Sequence, residues 1–487
     1  MHIYNSLSRK KEEFTSLKPK EVKMYACGPT VYDEPHIGHA RSAYIFDVIR
    51  RYLIYKGYKV KFVRNVTDVD DKIINKAKEE FPGENLNLSF KKVAEKYLTS
   101  YHQALADLGI DSGQDIKEPK ASEYIKQMQK FIQILIDKDA AYPVAGDVYF
   151  DITKAKNYGK LSNQSLEKME SGARVAPHEN KRNPLDFALW KSAKENEPAW
   201  DSPWGKGRPG WHIECSVMSS DILGDTFDIH GGGIDLIFPH HENEIAQSEA
   251  AGEKFARYWI HHGLLTINGQ KMAKSLGNFI TVKDFIDKYK DPNLLKLLFL
   301  STHYSHPVDF TDEKIEEAKK VYERLFIMLN KVHNIFNNLT FDQKERIKST
   351  EQDNQFGYIR SHFEEAMEDD FNTPQALAVL QGLITDTNVI ITEYPQITGK
   401  DISLKQLYYS CYILLPKLAD VFGLVLDSIV VDIGGYLDEE VRDLIEKRNK
   451  ARKNKNFDLS DKIRIELEKN GIILEDTKDG TTWRRKL

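Results

Sequence analysis

The sequence predicts an α/β protein: a parallel-sheet domain interrupted by an insertion, then an α-helical bundle, then a small mixed C-terminal unit. Three observations lead there. Residues 22–27 (VKMYAC) and 58–66 (YKVKFVRNV) read as short strands rich in Val, Tyr and Phe, and the stretch between them has helical periodicity. Residues 118–201 lose that pattern and become loop-rich. From about 313 to 427 the chain reads as nearly all helical, with apolar periodicity in EEAKKVYERLFIMLNKVHNIF and PQALAVLQGLITDTNVIITEY. A chain of 487 residues also exceeds what one core serves, so about three to four folding units are expected.

The first helix spans 37–56, with Ile37, Ala40, Tyr44, Val48, Tyr52 and Tyr55 three or four residues apart and Gly57 as its stop. Strand, helix and strand make a βαβ unit with a right-handed crossover. Ligands of such sheets sit beyond the carboxyl ends of the strands, where Cys27 lies. The insertion, 118–201, holds a helix near 120–138, then GDVYFDI and a segment carrying NPLDFALW. The sheet is expected to resume in WHIECSVMSSDILGDTFDIHGGG, 211–233, so the sheet domain comprises 1–117 and 202–267. A Gly-bounded lysine loop opens a connecting region, 268–312. The bundle follows at 313–437, and 438–487 reads as two charged helices and a hairpin.

Apolar content of 41% and charged content of 29% fit a soluble globular chain. No apolar run approaches the ~18–20 residues of a membrane span, and no targeting or lipidation signal is found. A cytoplasmic protein without membrane partners is expected. Three cysteines exclude a disulfide framework and indicate a reducing compartment, which leaves metal binding or catalysis for Cys27, Cys215 and Cys411. A net charge of −5 gives no global signature of nucleic-acid binding. The local basic run at 442–464 reads, taken alone, as a solvated helix face with i, i+4 ion pairs.

His36 and His39 flank Ile37 and Gly38 where a loop enters the first helix. Two imidazoles at i and i+3 share one side, the helix start offers N–H groups and partial positive charge to a polyphosphate, and Gly38 lets a nucleotide approach the backbone. NGQKMAKSLGN, 268–278, sets Lys271 and Lys274 in a loop where they can follow charge as pyrophosphate leaves. In this order and separation the pair resembles the HIGH and KMSKS signatures of class I aminoacyl-tRNA synthetases. Ala273 departs from the usual serine, which removes one hydroxyl and keeps both lysines.

Cys215 lies in RPGWHIECS, and FPHHENEIAQ follows at 238–247. If a helix begins there, His240 and Glu244 are one turn apart on one face. With Cys27 and Cys215 they would offer two thiolates, an imidazole and a carboxylate, a set suited to Zn²⁺. His241 and Glu242 compete for the same place, and spacing does not choose among them.

Cys27, HIGH, NVTDVDDKI, RPGWHIECS, FDIHGGGIDLIFPHHENEIAQ, the lysine loop, DDFNTPQALA and ILEDTKDGTTWRRK together resemble the cysteinyl-tRNA synthetase family over essentially the whole chain. The resemblance implies a Rossmann-type catalytic domain with a connective-peptide-like insertion, a stem-contact region at 268–312 and anticodon recognition by the C-terminal parts. It implies one zinc ion on Cys27, Cys215, His240 and Glu244 that takes the substrate thiol, and Mg²⁺ with ATP. His36, His39, Lys271 and Lys274 would be catalytic, and Gly38, Gly231, Gly232 and Asp235 would join them in binding ATP. Thr67, Trp211 and His230 would line the cysteine pocket. Arg448, Arg452, Asp476, Trp483, Arg484 and Arg485 would meet tRNA(Cys), and the enzyme would be a monomer using ATP and L-cysteine. Two other readings share part of the pattern: a ligase passing cysteine to a small amine acceptor, and an inactive tRNA-binding paralogue. The C-terminal unit speaks against the first, and the intact histidines and lysines against the second.

Overall fold

A computed structural model describes residues 1–110, 116–165, 181–348, 356–393, 400–426, 437–454, 456–469, 472–477 and 480–485. They form two compact units, residues 1–311 with 366–374, and residues 312–365 with 375–487.

The first unit opens with an antiparallel hairpin, β1 (His2–Asn5) and β2 (Lys10–Glu13). Then come β3 (Glu21–Ala26), α1 (Ile37–Tyr55) and β4 (Lys59–Arg64), the βαβ unit expected from the periodicity. Helix α1 stops because Gly57 takes φ of 80°, which turns its N–H to Ile54 O and that of Tyr58 to Leu53 O. Helices α2 (Asp71–Glu80) and α3 (Leu86–Asp107) lead to the short β5 (Ile116–Lys117).

The stretch read as an insertion holds α4 (Ile125–Asp137), β6 (Ala141–Val144), β7 (Asp147–Phe150) and β8 (Phe187–Ser192), and β9 (Gly207–Pro209), past the expected boundary at 201, completes their four-stranded antiparallel sheet. Its Met128, Ile132, Phe150 and Trp190 share one apolar core with Tyr25, Phe227 and Trp259 of the parallel sheet. The sheet does not resume at 211 as expected. Residues 211–223 are instead a helix, α5 (Trp211–Leu223), followed by β10 (Thr226–Gly233). Helix α5 is buried on nearly every side through its first turns, so it shows no amphipathic period to read.

After a turn at 237–241 come α6 (Glu242–Ala251) and β11 (Phe255–His262). The five-stranded sheet has the order β11-β10-β3-β4-β5, every pair parallel. The carboxyl ends of β3, β4 and β10 therefore open on one edge, with Cys27 beyond β3, Thr67 beyond β4 and the HGGG run closing β10. A small sheet of β12 (Leu265–Ile267), β13 (Gln270–Lys271) and β14 (Val308–Phe310) frames the lysine loop, with α7 (Val282–Tyr289) and α8 (Pro292–Leu300) between β13 and β14.

The second unit is helical from α9 (Asp312–Asn337) through α10 (Phe341–Lys348), α11 (Gly357–Glu368), α12 (Thr373–Glu393), α13 (Lys400–Tyr408) and α14 (Leu415–Val421), although α11 ends and α12 begins within the first. It closes with α15 (Leu437–Lys453), α16 (Phe457–Lys469) and a hairpin of β15 (Ile472–Thr477) and β16 (Gly480–Arg485). Ile445, Ile463, Leu467 and Leu474 give this end its own small core. No helix among the described residues is long and apolar enough to cross a membrane.

Candidate active site

At the start of α1, His36 is the N-cap and its Nδ1 accepts from the N–H of Gly38 (3.1 Å) and of His39 (3.3 Å). His39 reciprocates, its Nδ1 accepting from His36 N–H at 3.3 Å. The helix start is thus already capped, where the sequence led us to expect unpartnered N–H groups. The cap has a chemical consequence. With Nδ1 used as an acceptor, each neutral imidazole carries its proton on Nε2 and presents a donor there. Burial holds His36 at about 4, with Asp33 opposing and Lys274 assisting, and holds His39 at about 3, assisted by His36 and Lys72. The two rings stack with centroids 3.7 Å apart, which two cations would not do. A Cβ at Gly38 would meet the His36 ring at 2.9 Å, so glycine is required by the cap itself.

The lysine loop lies against this helix start. Ile37 N–H donates to Ile280 O (3.1 Å) and Val282 N–H to Pro35 O (2.9 Å), which lashes the segment after the loop to the one before α1. Lys274 pairs with Asp33, and its ammonium stands 5.0 Å from the Phe279 ring centroid. Asn278 closes the loop neck, accepting from Ala273 N–H (2.8 Å) and donating to Lys271 O (3.1 Å). Lys271 and Lys274 are both exposed.

Across the strand ends the two distant cysteines meet. Cys27 Sγ lies 3.7 Å from Cys215 Sγ and 3.7 Å from Glu244 Oε1. His240 Nε2 is 3.0 Å from Glu244 Oε1, the one-turn pairing the sequence suggested. One ligand atom from each of these four residues falls within 4.8 Å of the others. Two thiolates on one tetrahedral Zn²⁺ with ~2.3 Å bonds stand ~3.8 Å apart, so the sulfurs already have the required spacing. The donor set fits zinc. A second set, Cys27, His230, His241 and Glu244, meets the same distance test but has one thiolate. Glu242 is out of the contest: its carboxylate accepts from the N–H groups of Leu161 (3.4 Å) and Ser162 (2.8 Å).

Electrostatics tell the same story. Burial favours neutral forms here, yet the anionic Glu244 and Cys215 raise His240 to about 10, while His230 and His240 hold Glu244 at about 2. Burial pushes the Cys27 thiol up, and its bond to Cys215 adds to this. Burial also pushes Cys215 up, but the hydrogen bond from Cys27 and the nearby His240 bring it to about 6. Negative charge is gathered at a site suited to a cation.

A shell of imidazoles backs these groups, of which the sequence reading named His241 but not His212 or His261. His212 Nδ1 lies 3.0 Å from His240 Nδ1, and His241 Nδ1 lies 2.8 Å from His261 Nε2. The repeated HH dipeptides at 240–241 and 261–262 were the available signal. Trp211, 37% exposed, stacks on His240 with centroids 4.2 Å apart and forms an open wall of the site. Thr67 is buried and donates to Glu214 Oε2 at 2.7 Å. His230 is fully buried, its Nε2 2.7 Å from Glu244 Oε2, so it holds the carboxylate. A Cβ at Gly231 would strike the Phe46 ring at 2.2 Å and one at Gly232 the His241 ring at 2.8 Å, so packing alone requires both glycines. Asp235 is exposed beyond them.

In the C-terminal unit the structure corrects one expectation. Arg448 is 3% exposed and donates to Thr481 Oγ1 at 3.3 Å, so it braces the hairpin and does not face solvent. Arg452 is exposed. The side chains of Asp476, Trp483, Arg484 and Arg485 lie outside the described residues; their backbone forms β15 and β16.

Comparison with known proteins matches three family models: a class I (C) tRNA synthetase catalytic domain over residues 13–320, a DALR domain over 362–427, and a cysteinyl-tRNA ligase anticodon-binding domain over 435–484. A cysteine–tRNA ligase of Persephonella marina is 50% identical, with all of both chains covered. One of Finegoldia magna is 48% identical, again over both full lengths. Among solved structures, Mycobacterium tuberculosis methionyl-tRNA synthetase in complex with methionyl-adenylate superposes with a TM-score of 0.62 at 13% identity, covering 85% of this chain and 93% of that one. At that identity the likeness is one of fold.

Proposed function

The chain belongs to the cysteine–tRNA ligase family, and from that premise we propose that Cys27, Cys215, His240 and Glu244 hold the zinc ion by which it selects cysteine. The reaction is the ATP-dependent activation of L-cysteine to cysteinyl-adenylate, followed by transfer to the 3′ end of tRNA(Cys). Cysteine and serine differ by one atom, and shape alone separates such near-isosteres by only ~1–3 kcal/mol. Bound on these ligands, zinc supplies a soft Lewis acid that favours a thiolate over a hydroxyl. One observation carries the reading: free cysteines 188 positions apart bring their sulfurs to 3.7 Å, beside a buried carboxylate and imidazole.

The chain's own residues do the rest. Trp211 and Thr67 enclose the amino acid, and His230 holds Glu244 in place. The Nε2–H groups of His36 and His39 donate to phosphate oxygens and stay neutral while doing so. Lys271 and Lys274 bring positive charge to the leaving pyrophosphate, with Mg²⁺ accompanying ATP, and Lys274 leaves Asp33 to do this. Asp235, exposed past the HGGG run, serves the ribose. The match of 435–484 to an anticodon-binding domain supports tRNA as the acceptor and disfavours a small amine. Arg452 and the hairpin residues Asp476, Trp483, Arg484 and Arg485 take the anticodon bases. The site is complete within one chain, so a monomer suffices, and the cytoplasm supplies both tRNA and the reducing pool that three thiols need.

Cysteine-dependent ATP–pyrophosphate exchange, run beside serine on wild type and Cys215→Ser, tests the reading. The variant should lose zinc and its preference for cysteine. Unchanged selectivity would remove the metal from the account.

A further inference from the structure

Behind the candidate metal centre, Asn65 and Glu214 have no part in the chemistry above, and Thr67 enters it only as a pocket wall. All three are at most 2% exposed. Gly28 N–H donates to Asn65 Oδ1 at 2.8 Å, Asn65 Nδ2 donates to Thr67 Oγ1 at 3.3 Å, and the Thr67 hydroxyl donates to Glu214 Oε2 at 2.7 Å. A backbone N–H can only donate, so the Asn65 oxygen faces Gly28 and its amide nitrogen faces Thr67. Thr67 then accepts, and its proton goes to Glu214.

This chain of bonds starts one residue after Cys27 and ends one residue before Cys215. We propose that Asn65, Thr67 and Glu214 form a buried positioning relay that sets the spacing of the two metal-binding sulfurs. The inference rests on the reading that Cys27 and Cys215 are ligands.

The surrounding backbone explains why a relay is needed. The segments after β3 and β4 run side by side: Thr67 N–H donates to Pro29 O (3.0 Å), Val31 N–H to Thr67 O (3.2 Å), and a Cβ at Gly28 would lie 1.7 Å from Asn65 O. Those bonds fix Cys27 relative to β4. Cys215 belongs to a different element, α5, and the Thr67–Glu214 bond brings that helix turn into the same frame. Mere space-filling would call for an apolar side chain at 214. A carboxyl is buried there instead, with no hydrogen-bond partner for Oε1 among the described residues, a costly choice that the Thr67 contact accounts for. Bonds running one way along such a chain also polarise one another and stiffen it.

The test uses the full-length protein with zinc replaced by Co²⁺, without cysteine or ATP, so that the pocket role of Thr67 does not enter. Thiolate-to-cobalt absorption and the d–d bands report ligand geometry, and chelator competition reports affinity. Glu214→Leu and Thr67→Val should each weaken metal binding by about 10–100-fold and shift the d–d bands. Glu214→Gln keeps an acceptor for the Thr67 hydroxyl and should stay within about threefold of wild type. Wild-type spectra and affinity in folded Glu214→Leu and Thr67→Val would overturn the relay. So would a Glu214→Gln protein as impaired as Glu214→Leu, because charge rather than the hydrogen bond would then be at work. Should Glu214→Leu fail to fold, the nearly isosteric Thr67→Val decides alone. Absence of a thiolate band in wild type would instead overturn the ligand assignment beneath the relay, and the relay with it.

Discussion

Arg41 lies two residues past His39 on α1, is 1% exposed, and has no carboxylate partner among the described residues. Its guanidinium donates to four backbone oxygens: Nη1 to Gly263 (2.5 Å) and Leu264 (2.6 Å), Nη2 to Tyr304 (3.2 Å) and His306 (2.6 Å). One side chain thus ties the helix carrying the histidine pair to the strands framing the lysine loop. Four hydrogen bonds to a charged group at ~1.5–3 kcal/mol each set a ceiling of ~6–12 kcal/mol. Burial returns part of it: the guanidinium is held at about 10 instead of 12.5, equivalent to ~3 kcal/mol against the charge. Water reaching some of the abandoned carbonyls lowers the loss further. Arg41→Met should therefore cost ~3–5 kcal/mol. Urea unfolding followed by tryptophan fluorescence reads this well, since Trp190, Trp200, Trp204, Trp211 and Trp259 all lie in the first unit and only Trp483 does not. Pyrophosphate exchange should fall along with stability. A loss under ~1 kcal/mol with exchange intact would show that these carbonyls do not depend on the guanidinium, and the clamp would be discarded.

Asn278→Ala removes both bonds across the neck of the lysine loop, worth ~1–2 kcal/mol together, so the exchange rate at saturating cysteine should drop about tenfold with the melting temperature unchanged; an unaltered rate would show that the loop needs no brace. His36 and His39 titrate below their ordinary 6.5 in the folded chain, so the stability tied to their neutral forms is full above pH 6.5 and falls as pH drops toward 4, by ~1.4 kcal/mol per histidine per unit. Exchange activity should accordingly show no inflection near 6.5 that His39→Asn abolishes, and finding one would refute the neutral-donor role. Removing residues 438–487 should leave pyrophosphate exchange within about twofold while cutting tRNA charging at least about a hundredfold, the worth of two bases at ~1–3 kcal/mol each. Undiminished charging would place anticodon recognition elsewhere.

What could be read from the sequence was what is local. The βαβ unit was legible because α1 places its apolar residues at helical spacing and ends at a glycine with positive φ. The hairpin β15–β16 and the long bundle helices were legible for the same kind of reason. Helix α5 was not, because burial on almost every side erased its period, and β1, β2 and α3 carried no chemistry to draw attention. At the site, residue types gave the donor set, but three dimensions were needed to remove Glu242, and His240 and His241 each still belong to a four-residue set. Glu242 was removed by two backbone N–H groups of the insertion, about 80 residues upstream. The Lys274–Asp33 pair, 241 positions apart, left no local trace, and neither did the relay from Asn65 to Glu214.

That division has a physical origin. Each proposed ligand stands near where one of three elements begins or ends: Cys27 beyond β3, Cys215 in the first turns of α5, His240 in the turn before α6, and Glu244 in the first turn of that same helix. Such junctions are where side chains from distant elements can converge without breaking strand or helix bonding. A site made this way inherits its geometry from how three elements are held relative to one another, and small errors in that frame become errors in sulfur spacing. Selecting sulfur over oxygen asks more of the frame than binding a metal does, since the selection is worth having only if both thiolates stay in place when the substrate arrives. The cost of burying Asn65, Thr67 and Glu214 behind the proposed ligands is therefore best weighed against discrimination: in pyrophosphate exchange a relay variant should lose cysteine-over-serine preference at metal concentrations that still load the site, and preference retained until the metal is lost would refute this.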